Sequence, residues 1–154
     1  MTTLKKGDKA PDFTGTIETG ETISLSAFKG KKLALYFYPR DNTPTCTVEA
    51  CNLRDNYIAL QEKGIEIIGV SPDTEKKHVN FINKFELPFH LLADTEKETA
   101  NAYQVWGPKK FMGKTSDGIH RTTFLIDENG MLHDVILKVK SKIHSEQIIE
   151  AFGG

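Results

Sequence analysis

The sequence predicts a single α/β domain, residues 1–154, with a mixed central β-sheet flanked by helices. Three observations predict it. LALYFYP (33–39) and GIEIIGVSPD (64–73) are near-continuous apolar runs, the mark of strands buried on both faces. Segments with helical spacing of apolar residues follow each of them. A late pair of strand patterns around Glu128, Asn129 and Gly130 adds an antiparallel hairpin.

The elements can be justified in order. GTI (15–17) and TISL (22–25), joined by a turn at 18–21, make an N-terminal β-hairpin. LALYFYP is the first central strand. The helix expected at 44–62 opens on Thr43 and Pro44, a hydroxyl N-cap followed by proline at the first helical position. Cys46, Ala50, Leu53, Tyr57 and Leu60 advance by four and three, so they share one face, and Gly64 suits the helix end. GIEIIGVSPD is the second central strand.

TEKKHVNFINKFE (74–86) reads as a helix with Val79, Ile82 and Phe85 at helical spacing. HLLAD (90–94) is a short strand and EKETANAY (96–103) a short helix. GPKKFMGKTSDG (107–118), bounded by glycines, reads as a polar loop. IHRTTFLID (119–127) and MLHDVILKV (131–139) form the late hairpin, and HSEQIIEAF (144–152) closes the chain with a helix.

Composition excludes several function classes. Apolar residues are 38% and charged residues 27%, ordinary for a globular protein. Twenty basic and 21 acidic residues leave a net charge of −1 without a basic run, so neither nucleic acid nor membrane is an expected partner. The N-terminus has no signal-like apolar stretch and no segment approaches membrane-spanning length, so a cytoplasmic location is expected. His78, His90, His120, His133 and His144 share no ligand spacing with each other or with the cysteines; no metal and no cofactor are expected. Trp106 reads as packing rather than substrate recognition.

The chemistry concentrates in YPRDNTPTCTVEACNLRDNY (38–57), which holds the two cysteines of the chain, Cys46 and Cys51. In a reducing compartment such a pair is seldom a structural staple. Cys46 falls in the first helical turn, facing free backbone N–H groups and the positive end of the helix dipole. That setting favours a thiolate. It also lies beyond the C-terminal end of a central strand, where open α/β folds place their sites.

Cys51 lies five residues on, rotated by about 140° and raised by about 7.5 Å, which puts the Cα atoms roughly 8.7 Å apart. A disulfide needs them within about 7 Å. An intact helix forbids the bond, and pairing would require its first turns to unwind. From spacing alone, two small buried hydrophobes are an equal reading.

Pro39, Thr43 and Cys46 match the P-x-x-x-[TS]-x-x-C motif, and here the chain resembles the peroxiredoxins. DNTPTCTVEACNLRD is similar to the bacterioferritin comigratory protein, or PrxQ, branch. GKTSDGIHRTTFLIDENG (113–130) resembles the segment in which that branch carries its active-site arginine, here Arg121, and APDF (10–13) resembles the family's opening. Thr45 stands where the branch more often has a small residue.

The likeness covers nearly the whole chain and implies a thioredoxin-like fold. It implies thiol-dependent reduction of hydrogen peroxide and organic hydroperoxides, with Cys46 as peroxidatic and Cys51 as resolving cysteine. It further implies an intramolecular Cys46–Cys51 disulfide recycled by thioredoxin or a similar dithiol reductant. Branch members are often monomeric, and a pair within one helix needs no second subunit, so a monomer is expected.

An unperturbed thiol is roughly 3% thiolate at pH 7, so full ionisation gains at most about 30-fold. The site must therefore also stabilise the stretching O–O bond and the emerging oxyanion. Thr43 can exchange hydrogen bonds with the peroxide, and the N–H groups of Thr45 and Cys46 can face developing charge. Arg121 supplies fixed donors with a permanent charge. Pro39 can wall the pocket as active-site support.

Each residue has a plainer reading: Thr43 as the cap, Arg121 as a structural ion pair, Pro39 as a strand terminator. Glu49 reads as a helix-surface or supporting carboxylate with a weak case for placing Arg121. His120, beside Arg121 on a regular strand, would point to the opposite face. Two rival functions remain at this stage. A thioredoxin-like disulfide oxidoreductase would want C-x-x-C at the helix start, which is absent. A non-enzymatic peroxide-sensing switch would use the same cysteines without turnover.

Overall fold

The computed structural model describes residues 2–153. In chain order the strands are β1 (Thr14–Ile17), β2 (Thr22–Ser24), β3 (Lys32–Phe37), β4 (Ile65–Ser71), β5 (His90–Ala93), β6 (Trp106–Phe111), β7 (Lys114–Ile119), β8 (Thr122–Ile126) and β9 (Leu132–Ile136). The helices are α1 (Pro44–Asp55), α2 (Tyr57–Glu62), α3 (Glu75–Phe85), α4 (Glu98–Ala102) and α5 (His144–Ala151). A 3₁₀ turn at Ser141–Ile143 leads into α5.

Seven strands form one mixed sheet in the order β2-β1-β5-β4-β3-β8-β9. β3 pairs parallel to β4 and antiparallel to β8, and β4 pairs parallel to β5. The N-terminal hairpin joins this sheet through β1 and β5. Alternation along β3 divides the core. Leu33, Leu35 and Phe37 pack with Phe124, Tyr103 and Val105 on one face. Ala34 and Tyr36, with Tyr38 just beyond, pack under Cys46, Ala50, Leu53, Phe81 and Ile148 on the other. Both faces are covered, which is why the strand reads as continuously apolar.

Three expectations need correction. Residues 107–118 are not a loop: β6 and β7 form a separate two-stranded hairpin, in register from Trp106↔Ile119 to Phe111↔Lys114. Met112 and Gly113 both take positive φ, 51° and 80°, as a tight two-residue hairpin turn with matching twist requires. Most of β7 is exposed, so no hydrophobic alternation announced it.

The helix expected at 44–62 breaks at Asn56, whose side chain donates to Asn52 O at 2.9 Å. The Asn56 N–H also donates to Asn52 O, at 3.2 Å, so the division comes from the backbone of Asn56, whose φ of −113° and ψ of 15° depart from helical values. The apolar face nonetheless continues across the break: Cys46, Ala50, Leu53 and Leu60 are buried and Tyr57 half-buried. On α3 the buried positions are His78 and Phe81, with Val79 exposed, so the packed face is turned from the one expected.

Candidate active site

The chain between β3 and α1 is tied down before it reaches Cys46. Tyr38 Oη donates to Asp41 Oδ1 at 2.5 Å, and the Asp41 N–H donates to Asp73 Oδ2 at 2.7 Å. His78 Nδ1 lies 2.7 Å from Asp41 Oδ2, and Ser71 Oγ donates to Asp73 Oδ2 at 2.7 Å. These bonds fix residues 38–43 against the end of β4 and against α3. Asn42 takes φ 59°, a left-handed turn that asparagine tolerates.

Thr43 occupies the expected N-cap position in extended conformation, but its hydroxyl does not cap the helix. It donates instead to Arg40 O at 3.0 Å. The first intrahelical bond joins Thr47 N–H to Thr43 O at 2.9 Å, so the N–H groups of Thr45 and Cys46 precede the ladder.

Cys46 is 2% exposed, in the first turn of α1. Arg121 Nη2 donates to its sulfur at 3.2 Å, and Arg121 Nη1 donates to Glu49 Oε1 at 2.6 Å. One guanidinium thus spans two groups a helical turn apart. Arg121 is not within a strand: Ile119 ends β7, Thr122 begins β8, and His120 and Arg121 lie at the seam between the two sheets.

That seam is cross-linked. The Lys109 ammonium donates to Ile119 O at 2.7 Å, and the His120 N–H donates to Val105 O at 2.8 Å. His120 Nε2 donates to Pro108 O at 3.0 Å, and Thr122 Oγ1 donates to His120 O at 2.8 Å. The expected opposite-face orientation of His120 assumed a regular strand, which ends one residue earlier.

Electrostatics set the character of the cluster. Burial pushes Glu49 up to about 7, outweighing the attraction of Arg121. For Arg121 burial works against the charge, but Glu49 and Cys46 outweigh it and hold the guanidinium protonated. Behind Glu49, fully buried His144 is pushed down to about 4, first by burial. Lys109 is pushed down by burial and by the nearby Arg121 charge.

Of the remaining expected site residues, Pro39 is half-buried beyond the end of β3. Cys51 is half-buried on α1, and both cysteines are free thiols. Trp106 is half-buried on β6 with the Lys97 ammonium 5.1 Å from its ring. Among the described residues no three His, Cys, Asp or Glu side chains are grouped to hold a metal ion, and no helix is long and apolar enough to cross a membrane. Sequence reasoning undervalued Glu49 and gave His144 no role. The signal for Glu49 was its spacing: three residues after Cys46, it falls on the packed face.

Comparison with known proteins decides the family. The AhpC/TSA family model matches residues 6–135. The chain belongs to the AhpC/TSA family. It is similar to the peroxiredoxin Bcp of Bacillus subtilis, 48% identical over 148 residues, covering 96% of this chain and 94% of that protein. It is also 42% identical over 149 residues to the peroxiredoxin Bcp of Escherichia coli, covering 97% and 96% of the two chains.

Among solved structures, peroxiredoxin Q of Xanthomonas campestris superposes with a TM-score of 0.85 at 33% identity, covering 90% of this chain and 88% of that one. PrxQ of Xylella fastidiosa superposes with a TM-score of 0.91 at 26% identity, covering 99% and 97%. The expected thioredoxin-like fold is present, and this peroxiredoxin is a thiol-dependent peroxidase of the Bcp/PrxQ branch, reducing peroxides at the expense of a thiol.

Proposed function

We propose that Cys46 is the peroxidatic residue, that Cys51 resolves it, and that thioredoxin or a similar dithiol protein recycles the pair. The Cys46 thiolate attacks one oxygen of hydrogen peroxide or an organic hydroperoxide. The O–O bond breaks, water or an alcohol leaves, and Cys46 becomes a sulfenic acid. Its condensation with the Cys51 thiol expels water and forms the Cys46–Cys51 disulfide. A dithiol reductant then opens that bond through a mixed disulfide.

The observation that carries this reading is the 3.2 Å hydrogen bond from Arg121 Nη2 to Cys46 Sγ at the start of α1. A cation held there opposes negative charge on the sulfur and on the departing oxygen alike. The N–H groups of Thr45 and Cys46 precede the helix ladder and are placed to face the same charge. Thr43 and Pro39, fixed by the tied loop, border the sulfur's approach in this reading. Both cysteines lie on α1, so resolution requires its first turns to unwind. Everything needed lies in one chain, which supports a monomer.

A coupled assay with NADPH, thioredoxin reductase and thioredoxin tests the proposal. Catalytic peroxide consumption is expected in the wild type and not in Cys46→Ser. Cys51→Ser should oxidise once, keep a persistent sulfenic acid and recycle poorly. Full turnover in Cys51→Ser would remove the resolving role, and stoichiometric oxidation with every reductant would favour the sensing switch.

A further inference from the structure

We propose that Glu49 is protonated on Oε2 in the resting reduced protein, and that His144 and Gln147 of α5 are positioning residues that hold the proton there. Hydrogen bonding assigns the groups in turn. Gln147 Nε2 donates to Lys138 O at 3.0 Å, which fixes the amide so that Oε1 is the acceptor. That oxygen accepts from the Lys140 N–H at 2.8 Å and faces His144 Nδ1 at 2.9 Å. Nδ1 therefore carries a hydrogen. His144 Nε2 lies 2.7 Å from Thr123 Oγ1, and in the neutral ring it accepts the threonine hydroxyl.

Glu49 divides its carboxyl between two environments. Oε1 takes the Arg121 bond, whereas Oε2 is buried, without a hydrogen-bond partner among the described residues, 3.5 Å from His144 Nε2. Because Nε2 already accepts from Thr123, it has no hydrogen to give Oε2, and an ionised Oε2 would be a bare negative charge away from water. Such an arrangement is costly. A proton on either atom relieves it. Burial pushes His144 down to about 4 and Glu49 up to about 7, so the proton goes to the carboxyl.

The titratable groups around this carboxyl are Arg121 at the seam, Cys46 on α1, Tyr36 on β3 and His144 on α5. Tyr36 is fully buried and pushed well above its ordinary value by burial, so it adds no charge. The carboxylic acid accepts from Arg121 through Oε1 without neutralising it. The guanidinium charge is then reserved for Cys46. This consequence rests on Cys46 being the attacking sulfur; the protonation does not.

Infrared difference spectroscopy on the whole reduced protein separates the two. At about pH 6 the wild type should show a protonated-carboxyl C=O stretch that is retained in Cys46→Ser and absent in Glu49→Gln. Titrated upward, the band should fade with a midpoint at about 7. In His144→Ala that midpoint should drop by at least about one unit, a tenfold loss of proton affinity, because Oε2 loses the buried ring that gives it no donor and gains solvent.

Absence of the band, or its survival in Glu49→Gln, overturns the protonation. An unmoved midpoint in His144→Ala overturns the role of α5. The rate with hydrogen peroxide should fall across the same interval in wild type and not in Glu49→Gln; a rate insensitive to the band's loss overturns the link to Arg121.

Discussion

The side chain of Asn52 accepts a hydrogen bond from the backbone N–H of Ser145 at 2.8 Å, one residue beyond Cys51. Its amide also donates to Lys142 O at 2.9 Å. Both atoms of one side chain thus clasp α1 to the start of α5. The proposed Cys46–Cys51 disulfide would have to distort α1 immediately before this clasp. Oxidised protein should show faster amide exchange than reduced protein across residues 44–53 and at Ser145. Equal protection in both states would refute the unwinding. Asn52→Ala, losing about 1 kcal/mol of hydrogen bonding, should close the disulfide about fivefold faster in quenched-flow mass spectrometry, because unwinding becomes easier.

Arg121→Lys should behave as a severe substitution. One ammonium cannot reproduce a fork that reaches Cys46 Sγ and Glu49 Oε1 together. Loss of a charged hydrogen bond of about 1.5–3 kcal/mol predicts about a 10- to 100-fold fall in kcat/KM for peroxide. An effect under threefold would argue against the proposed role of Arg121 at the sulfur.

Gly69 makes room for Tyr36. A Cβ there would sit 2.8 Å from the Tyr36 hydroxyl and 2.7 Å from Leu91 Cδ2. Gly69→Ala should therefore cost about 1–3 kcal/mol through overpacking, read as a lower urea midpoint. Tyr36→Phe should cost little or stabilise, since the hydroxyl it removes is buried and without a partner among the described residues. The double variant should recover part of the loss.

Glu49 and His144 pull stability in opposite directions with pH. Glu49 is raised from 4.5 to about 7, so the folded chain retains a proton the unfolded chain loses, and stability falls as pH rises through that interval. His144 is lowered from 6.5 to about 4, so the unfolded chain gains a proton that the fold refuses, and stability falls as pH drops through that interval. Glu49→Gln leaves the second effect unopposed. Its stability should decline more steeply than wild type between pH 6.5 and about 4, by at most about 1.4 kcal/mol per unit. Urea denaturation at stepped pH measures the difference.

The legible parts of the molecule are those written locally. Thr43-Pro44 marks the start of α1, and the four-and-three spacing from Cys46 to Leu60 identifies its buried face even across the break at Asn56. The central strands announce themselves because both faces are covered. Arg121 was harder to place: IHRTTFLID alternates like one strand, and only pairing of Ile119 with Trp106 and of Thr122 with Phe37 reveals two. The β6–β7 hairpin carries little apolar pattern because backbone pairing, not burial, forms it. Glu49 lay on the right face but is of a residue type seldom fully buried, and its partner is 72 residues away. His144 depends on the docking of α5, which no local spacing encodes.

The seam at His120 and Arg121 lets the hairpin hold the approach to the arginine proposed to act at Cys46. Lys109 and Pro108 belong to a small sheet that touches no peroxide in the proposed mechanism, yet they hold the Ile119 carbonyl and the His120 ring, the two residues that lead into Arg121. In that mechanism, removing either tie would act on Arg121 without touching the helix that bears the cysteines. Evolution, or a protein engineer, can adjust this peroxidase from its periphery.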